Sequence, residues 1–133
     1  MVSSFIKELD GLLPVPISQR TDIESYSRKI AEFGNVFAVI NNKKIISAVL
    51  YYANDTVNYK AYITLIGTVP QSEGCGYGTC LLETAENAAL MAGMRFMTLE
   101  TDFSNNNAIA FYAKHGYMVE FADQKLHMIK ELR

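Results

Sequence analysis

The spacing of apolar positions changes along the chain, and each change marks a different kind of element. From Phe5 to Leu13 they recur at helical intervals, and Pro14 and Pro16 stop the segment. Asp22 is placed to cap a second helix, whose apolar positions Ile23, Tyr26, Ile30 and Phe33 keep the helical period until Gly34 ends it. The pattern then becomes that of strands. Val36 to Ile40, Ile45 to Tyr52 and Tyr59 to Val69 are rich in β-branched and aromatic residues, with turns at Asn41-Asn42 and Asn54-Asp55. Three such strands in succession predict an antiparallel meander.

Pro70 closes the third strand, and a glycine-rich run, Gly74-Cys75-Gly76-Tyr77-Gly78, follows. Leu81, Ala85, Ala88 and Ala92 then mark the buried stripe of a helix that ends at Gly93. Met94 to Thr101 reads as a strand, and Asn105 to His115 as a helix closed by Gly116. Tyr117 to Phe121 and Leu126 to Ile129 read as a final hairpin. The strand, glycine loop, helix, strand order in the middle predicts a right-handed crossover between parallel neighbours. The rest of the sheet should be antiparallel. With 133 residues, no repeat and no linker, residues 1–133 are read as one domain.

Composition narrows the function classes. Half the residues are hydrophobic and 20% are charged, an ordinary globular balance. The net charge of −2 offers no basic field to nucleic acid or to an anionic membrane. Lys7, Glu8 and Asp10 interrupt the N-terminal apolar pattern, unlike a signal peptide. The longest nearly apolar run, Ile45 to Ala53, is too short to span a bilayer. Cys75 and Cys80 are too few for a disulfide framework, and with two histidines no metal site is expected. These features place the protein in the cytoplasm, with free thiols.

Candidate chemistry begins at the glycine run. The first turn of a helix has N–H groups without internal partners, and the helix dipole is positive there. Glycines let that backbone approach an anion without Cβ atoms in the way. Gly74 to Thr79 therefore reads as a site for a diphosphate. No Gly-Lys-Ser/Thr follows, so it is not a P-loop. The preceding strands form a meander, so it is not a dinucleotide-binding fingerprint either. A tight connection whose glycines serve only geometry is the plain alternative.

Taken together, Tyr62 to Met118 resembles the GNAT superfamily of acyl-CoA N-acyltransferases. Ile66-Gly67-Thr68-Val69-Pro70 looks like the family's fourth strand. Gly74 to Leu82 looks like its pyrophosphate loop and following helix. Leu99-Glu100, Asn105, Ala108-Ile109, Tyr112 and Gly116-Tyr117 look like its last block. The resemblance implies an α/β fold with a mixed, mostly antiparallel central sheet, helices on both faces, and two central strands that splay to admit acetyl-CoA. The family's usual first strand is not evident. By resemblance the amides of Gly74, Cys75, Gly76, Tyr77, Gly78 and Thr79 hold the diphosphate. Ile66, Gly67 and Thr68 would pair with the pantetheine arm as a short added strand, with Gly67 as a bulge that opens the sheet. One position departs from the pattern: Glu73 stands where the family usually has Arg or Gln, and a carboxylate beside a diphosphate is unfavourable.

The resemblance also implies roles for side chains. Tyr112 matches the family's general acid. A phenol is protonated at neutral pH and can donate to a departing thiolate. Its neighbour Phe111 points about 100° away and is expected to be the core member of the pair. Glu100 stands twelve residues before Tyr112, as does the general base of some members. Otherwise it faces solvent or pairs with a neighbouring Lys or Arg. Asn105 suits both a contact to the coenzyme A arm and a helix N-cap. Lys114 reads as solvated, His115 as a cation at a helix C-terminus, and His127 as a strand surface residue. An acyl-cysteine route through Cys75 is set aside, since the family transfers acetyl directly. Tyr51 and Tyr52 are strand formers, one of which could line an acceptor pocket.

The expected activity is transfer of acetyl from acetyl-CoA to a primary amine on a small molecule or peptide, without a metal. Alternatives are an acyl-CoA-binding module without turnover, and an O-acetyltransferase or amino-sugar acetyltransferase. The sequence names no acceptor and leaves room for a homodimer.

Overall fold

The computed structural model describes residues 1–10 and 22–133. Leu12, Leu13, Pro14 and Pro16 lie outside the described residues. Helix α1 spans Val2–Asp10 and buries Phe5, Ile6 and Leu9. Helix α2 spans Ile23–Phe33. The Asp22 carboxylate accepts from the Ser25 N–H, and the Gly34 N–H donates to the Ile30 carbonyl.

The strands are β1 (Asn35–Asn41), β2 (Lys44–Tyr52), β3 (Lys60–Thr68), β4 (Phe96–Thr101), β5 (Met118–Ala122) and β6 (Leu126–Glu131). Helix α3 spans Tyr77–Met91, and α4 spans Asn106–Lys114. One 3₁₀ turn, Pro70–Ser72, leads toward α3. The six strands form one sheet in the order β1-β2-β3-β4-β6-β5. Only β3 and β4 are parallel. The expected mixed, mostly antiparallel sheet with helices on both faces is therefore what forms.

Several boundaries move for local reasons. The β1–β2 turn is Asn42-Lys43, one residue later than the asparagine pair implied. Both residues take positive φ, 51° and 62°, as a two-residue hairpin turn requires. Tyr59 also takes positive φ, and its carbonyl accepts from the N–H groups of Arg95 and Phe96. That exchange delays β3 to Lys60 and β4 to Phe96. On α3 the buried positions are Leu81, Leu82, Ala85, Glu86 and Ala89, while Ala92 is exposed.

The sheet carries a core on each face. Val49, Tyr51, Ala61, Ile63, Met97, Leu99 and Met128 pack against Leu81, Leu82, Ala85 and Ala89 of α3 and Tyr112 of α4. On the other face Ala48, Leu50 and Leu65 pack with α1 and α2 through Phe5, Ile6, Leu9 and Ile30. Burying one Leu or Ile side chain contributes about 1.5–3 kcal/mol, so each layer is substantial. Glu86 is a buried carboxylate with both oxygens bonded. It accepts from the Tyr117 hydroxyl at 2.7 Å and from Lys130 Nζ at 2.9 Å, which ties α3 to the final hairpin. No helix among the described residues is long and apolar enough to cross a membrane.

Candidate functional site

β3 and β4 pair from Lys60 opposite Phe96 to Ile63 opposite Leu99, and then part. β3 runs on to Thr68 while pairing with β2 alone. The departure coincides with a bulge. Leu50 faces Leu65 but Tyr51 faces Ile63, so Thr64 is the extra residue. The bulge reverses the alternation of side chains. Leu65 turns to the α1/α2 core, and Ile66 turns to the α3 side. The Thr64 hydroxyl is in contact with the Tyr26 hydroxyl of α2.

The bulge is therefore not at Gly67, as the sequence suggested. Gly67 is paired opposite Ala48, and a Cβ there would lie 2.6 Å from Leu9 Cδ1. It is glycine because α1 packs onto it. Buried Ser47 donates to the Gly67 carbonyl at 3.1 Å, so Thr68 donates in the 2.7 Å contact between the two hydroxyls. Those bonds fix the end of β3 next to the fork.

A cavity of about 300 Å³ opens where the strands part. Ile66, Gly67, Thr68 and Glu73 line one side, and Gly78, Asn107, Ala108, Phe111 and Tyr112 line the other. The glycine run leads into it. Gly74 and Gly76 have φ of 80° and 81°, and a Cβ at either would meet nothing within 4 Å. Gly76 is the N-cap residue of α3, and no side chain caps the helix. Gly74, Cys75 and Gly76 are exposed, and Tyr77, Gly78 and Thr79 are half-buried. The first-turn N–H groups thus begin at an open backbone beside the cavity, an arrangement that fits a diphosphate. Glu73 lines the same cavity and forms no ion pair among the described residues. Cys75 and Cys80 are free and exposed.

Tyr112 packs edge-on against Phe111 and Tyr117 and lines the cavity. Burial, with a smaller contribution from Tyr62, pushes its phenol well above the ordinary tyrosine range. The expected division between the two aromatics is reversed. Tyr112 is 6% exposed and belongs to the core, whereas Phe111 is half-buried and packs against it. A Cβ on Gly78 would stand 3.5 Å from the Phe111 ring.

Glu100 lies on the opposite face, since Met97, Leu99 and Thr101 are the buried members of β4. It neither stands alone in solvent nor pairs with Lys or Arg. Its Oε2 is 3.8 Å from Nε2 of His127, its cross-strand partner on β6. The carboxylate accepts no hydrogen bond among the described residues. Its neighbours differ: Lys125 holds Asp102 at 2.9 Å and Lys60 holds Glu120 at 3.4 Å. The bond from Lys125 is the main cause that keeps the Asp102 carboxyl below the usual carboxylate range.

A family model described as the acetyltransferase (GNAT) family matches residues 4–117. The chain belongs to the GNAT acetyltransferase family. It is accordingly an acyltransferase, and solved GNAT structures share its fold. The ribosomal-protein-S18-alanine N-acetyltransferase from Escherichia coli is 17% identical with a TM-score of 0.72, over 99% of this chain and 90% of that one. PaiA N-acetyltransferase from Thermoplasma acidophilum, in complex with coenzyme A, is 20% identical with a TM-score of 0.68, over 82% and 68%. A GNAT family acetyltransferase from Elizabethkingia anophelis with acetyl-CoA bound is 16% identical with a TM-score of 0.70, over 82% and 83%. Among curated proteins none matches the sequence.

The remaining residues of this GNAT chain divide clearly. Asn105 is the N-cap of α4, its side chain accepting from the Ala108 N–H, and Asn107 rather than Asn105 lines the cavity. Asn107 and Phe111 were missed from sequence. Their signal was helical spacing, because 107, 108, 111 and 112 share one face. Lys114 is exposed. His115 donates from Nδ1 to the Phe111 carbonyl and meets the Thr79 hydroxyl at 3.1 Å, linking α4 to the start of α3. His127 is no plain surface residue, given its contact with Glu100. Tyr51 is buried on the α3 side and Tyr52 half-buried on the other.

Proposed function

We propose that this GNAT protein transfers the acetyl group of acetyl-CoA to a primary amine. The observation that carries the reading is the fork beyond Ile63 and Leu99, whose cavity lies between the free edge of β3 and the uncapped start of α3. Gly74 to Thr79 would hold the diphosphate through main-chain N–H groups. The outward peptide groups of Ile66 to Thr68 would hold the pantetheine arm. When bound, acetyl-CoA supplies an activated thioester.

Two side chains complete the site. Tyr112 donates a hydrogen bond toward the leaving sulfur from the cavity wall. Glu100, on the other sheet face, takes the proton that the acceptor must lose. A carboxylate takes a proton far less unfavourably from an ammonium group than from an alcohol, which favours an amine over a hydroxyl acceptor. One structural neighbour, the ribosomal-protein-S18-alanine N-acetyltransferase, is named for an amine acceptor. Two exposed free cysteines suit a reducing compartment such as the cytoplasm.

Glu73 supports a second reading, a binding module without turnover, because it sets a carboxylate at the cavity where the diphosphate would lie. Native mass spectrometry with acetyl-CoA, followed by thiol release against a panel of amines, separates the two. Binding followed by release supports transfer, and binding without release on any amine supports the module. In the same assay Gly78→Val, whose branched side chain would extend past Phe111 into the cavity, is expected to abolish binding. A folded Gly78→Val protein that binds normally would sink the cradle.

A further inference from the structure

The sheet face that bears Glu100 carries an arrangement whose parts do different jobs. Glu100 and His127 face each other across β4 and β6. The imidazole is fixed twice over: it stacks on Phe121 at 4.0 Å and 14°, and Nε2 lies 2.9 Å from Asp123 Oδ1. The same Nε2 stands 3.8 Å from Glu100 Oε2. At those lengths an Nε2–H is donated to Asp123 and not to Glu100. Glu100 therefore lies beside the polar edge of a held ring while its own oxygens stay unbonded.

That distinction matters for a base. Asp102 and Glu120 each accept from a lysine through one oxygen, and Asp102 also from Ser104 through the other. Asp123 is occupied by His127 and by the Lys125 N–H. Glu100 is the one of the four that accepts no hydrogen bond among the described residues.

We propose that His127 is a positioning residue for Glu100. Clamped by Phe121 and Asp123, it keeps the positive N–H edge of its ring 3.8 Å from Glu100 Oε2, which orients the carboxylate across the strand pair without a hydrogen bond that would tie up its oxygens. The proposal rests on the reading of Glu100 as the base.

A double-mutant cycle tests it, with thiol release from acetyl-CoA read using n-butylamine and, separately, water as the acceptor. Glu100→Gln should slow release about 100-fold or more. His127→Phe, which keeps the stack on Phe121, should slow it about tenfold through misplacement alone. His127→Gln, which keeps a donor nitrogen, should recover most of that loss. The double variant should be no slower than Glu100→Gln alone. The acetyl-CoA Kd should stay within about twofold in all of them, since His127 lies away from the cavity. His127→Phe at the wild-type rate, or a loss that multiplies onto Glu100→Gln, overturns the positioning role. Glu100→Gln at the wild-type rate overturns the base reading, and the proposal with it. A protein that releases no thiol to n-butylamine, to water or to any amine of the panel overturns the transfer reading, and the proposal with it.

Discussion

Tyr112→Phe removes one oxygen from the cavity wall and leaves the ring in the core. The structure fixes how large the effect should be. Burial holds the phenol far above its ordinary range, whereas a thiol of cysteine type ionises near about 8.5. Full proton transfer from Tyr112 to the departing sulfur is uphill, so the hydroxyl serves as a hydrogen-bond donor to developing charge. Such a bond contributes about 1.5–3 kcal/mol, which is about 10- to 150-fold in rate. The ring contacts to Phe111 and Tyr117 survive the change, so Tm should stay within about 2 °C. The assay is single-turnover thiol release by stopped flow, beside acetyl-CoA affinity by calorimetry. The single-turnover rate should fall by that factor, with affinity within a few fold. An unchanged rate refutes the role. A loss confined to affinity shows that the hydroxyl holds the ground state rather than the departing sulfur.

Two further changes probe the scaffold. Gly67→Ala puts a Cβ 2.6 Å from Leu9 Cδ1, and should cost about 1 kcal/mol or more in a urea melt. In a Leu9→Ala background, with the obstructing methyl gone, the added cost should vanish. Alkaline pH should weaken the fold, because burial raises Tyr112 and Tyr117, the latter also through its bond to Glu86. Such groups stabilise fully below the unfolded tyrosine value of about 10, and that contribution is lost as pH rises further. Melts between pH 8 and 11 should show Tm falling above about pH 10, less steeply in Tyr117→Phe; equal slopes would count against the argument.

Much of the fold was legible because local signals agreed with one another. Asp22 and Asn105 cap their helices as their types predict, and the β1-β2-β3 meander and the parallel β3–β4 pair follow from turn spacing and the strand-helix-strand order. Local pattern failed where long-range packing decides. Gly67 looked like a bulge because glycine in a strand often is one, yet what shapes that position is Leu9, far away in sequence. Thr64, the actual extra residue, is a good strand former with no local mark. The resemblance puts Tyr112 on the wall and leaves Phe111 to the core, yet the helix is rotated so that Tyr112 is the deeper one. The pairing of Glu100 with His127 needed the register of β4 on β6, which no periodicity supplies.

The bulge and the fork are one device rather than two. β3 stops pairing with β4 at Ile63, and Thr64 is the next residue. Without the extra residue, strict alternation would turn Leu65 toward α3 and Ile66 toward α1, exchanging the side chains that now line the cavity and the α1/α2 core. With it, the same strand buries Leu65 under α1 and α2 and still offers Ile66 to the cavity. The Thr64 hydroxyl meets Tyr26, so α2 is in contact with the residue that opens the sheet. The helical layer on the Glu100 face and the cavity on the Tyr112 face therefore share one mechanical element. A substitution at Tyr26 can alter the fork without touching either the cavity or the carboxylate.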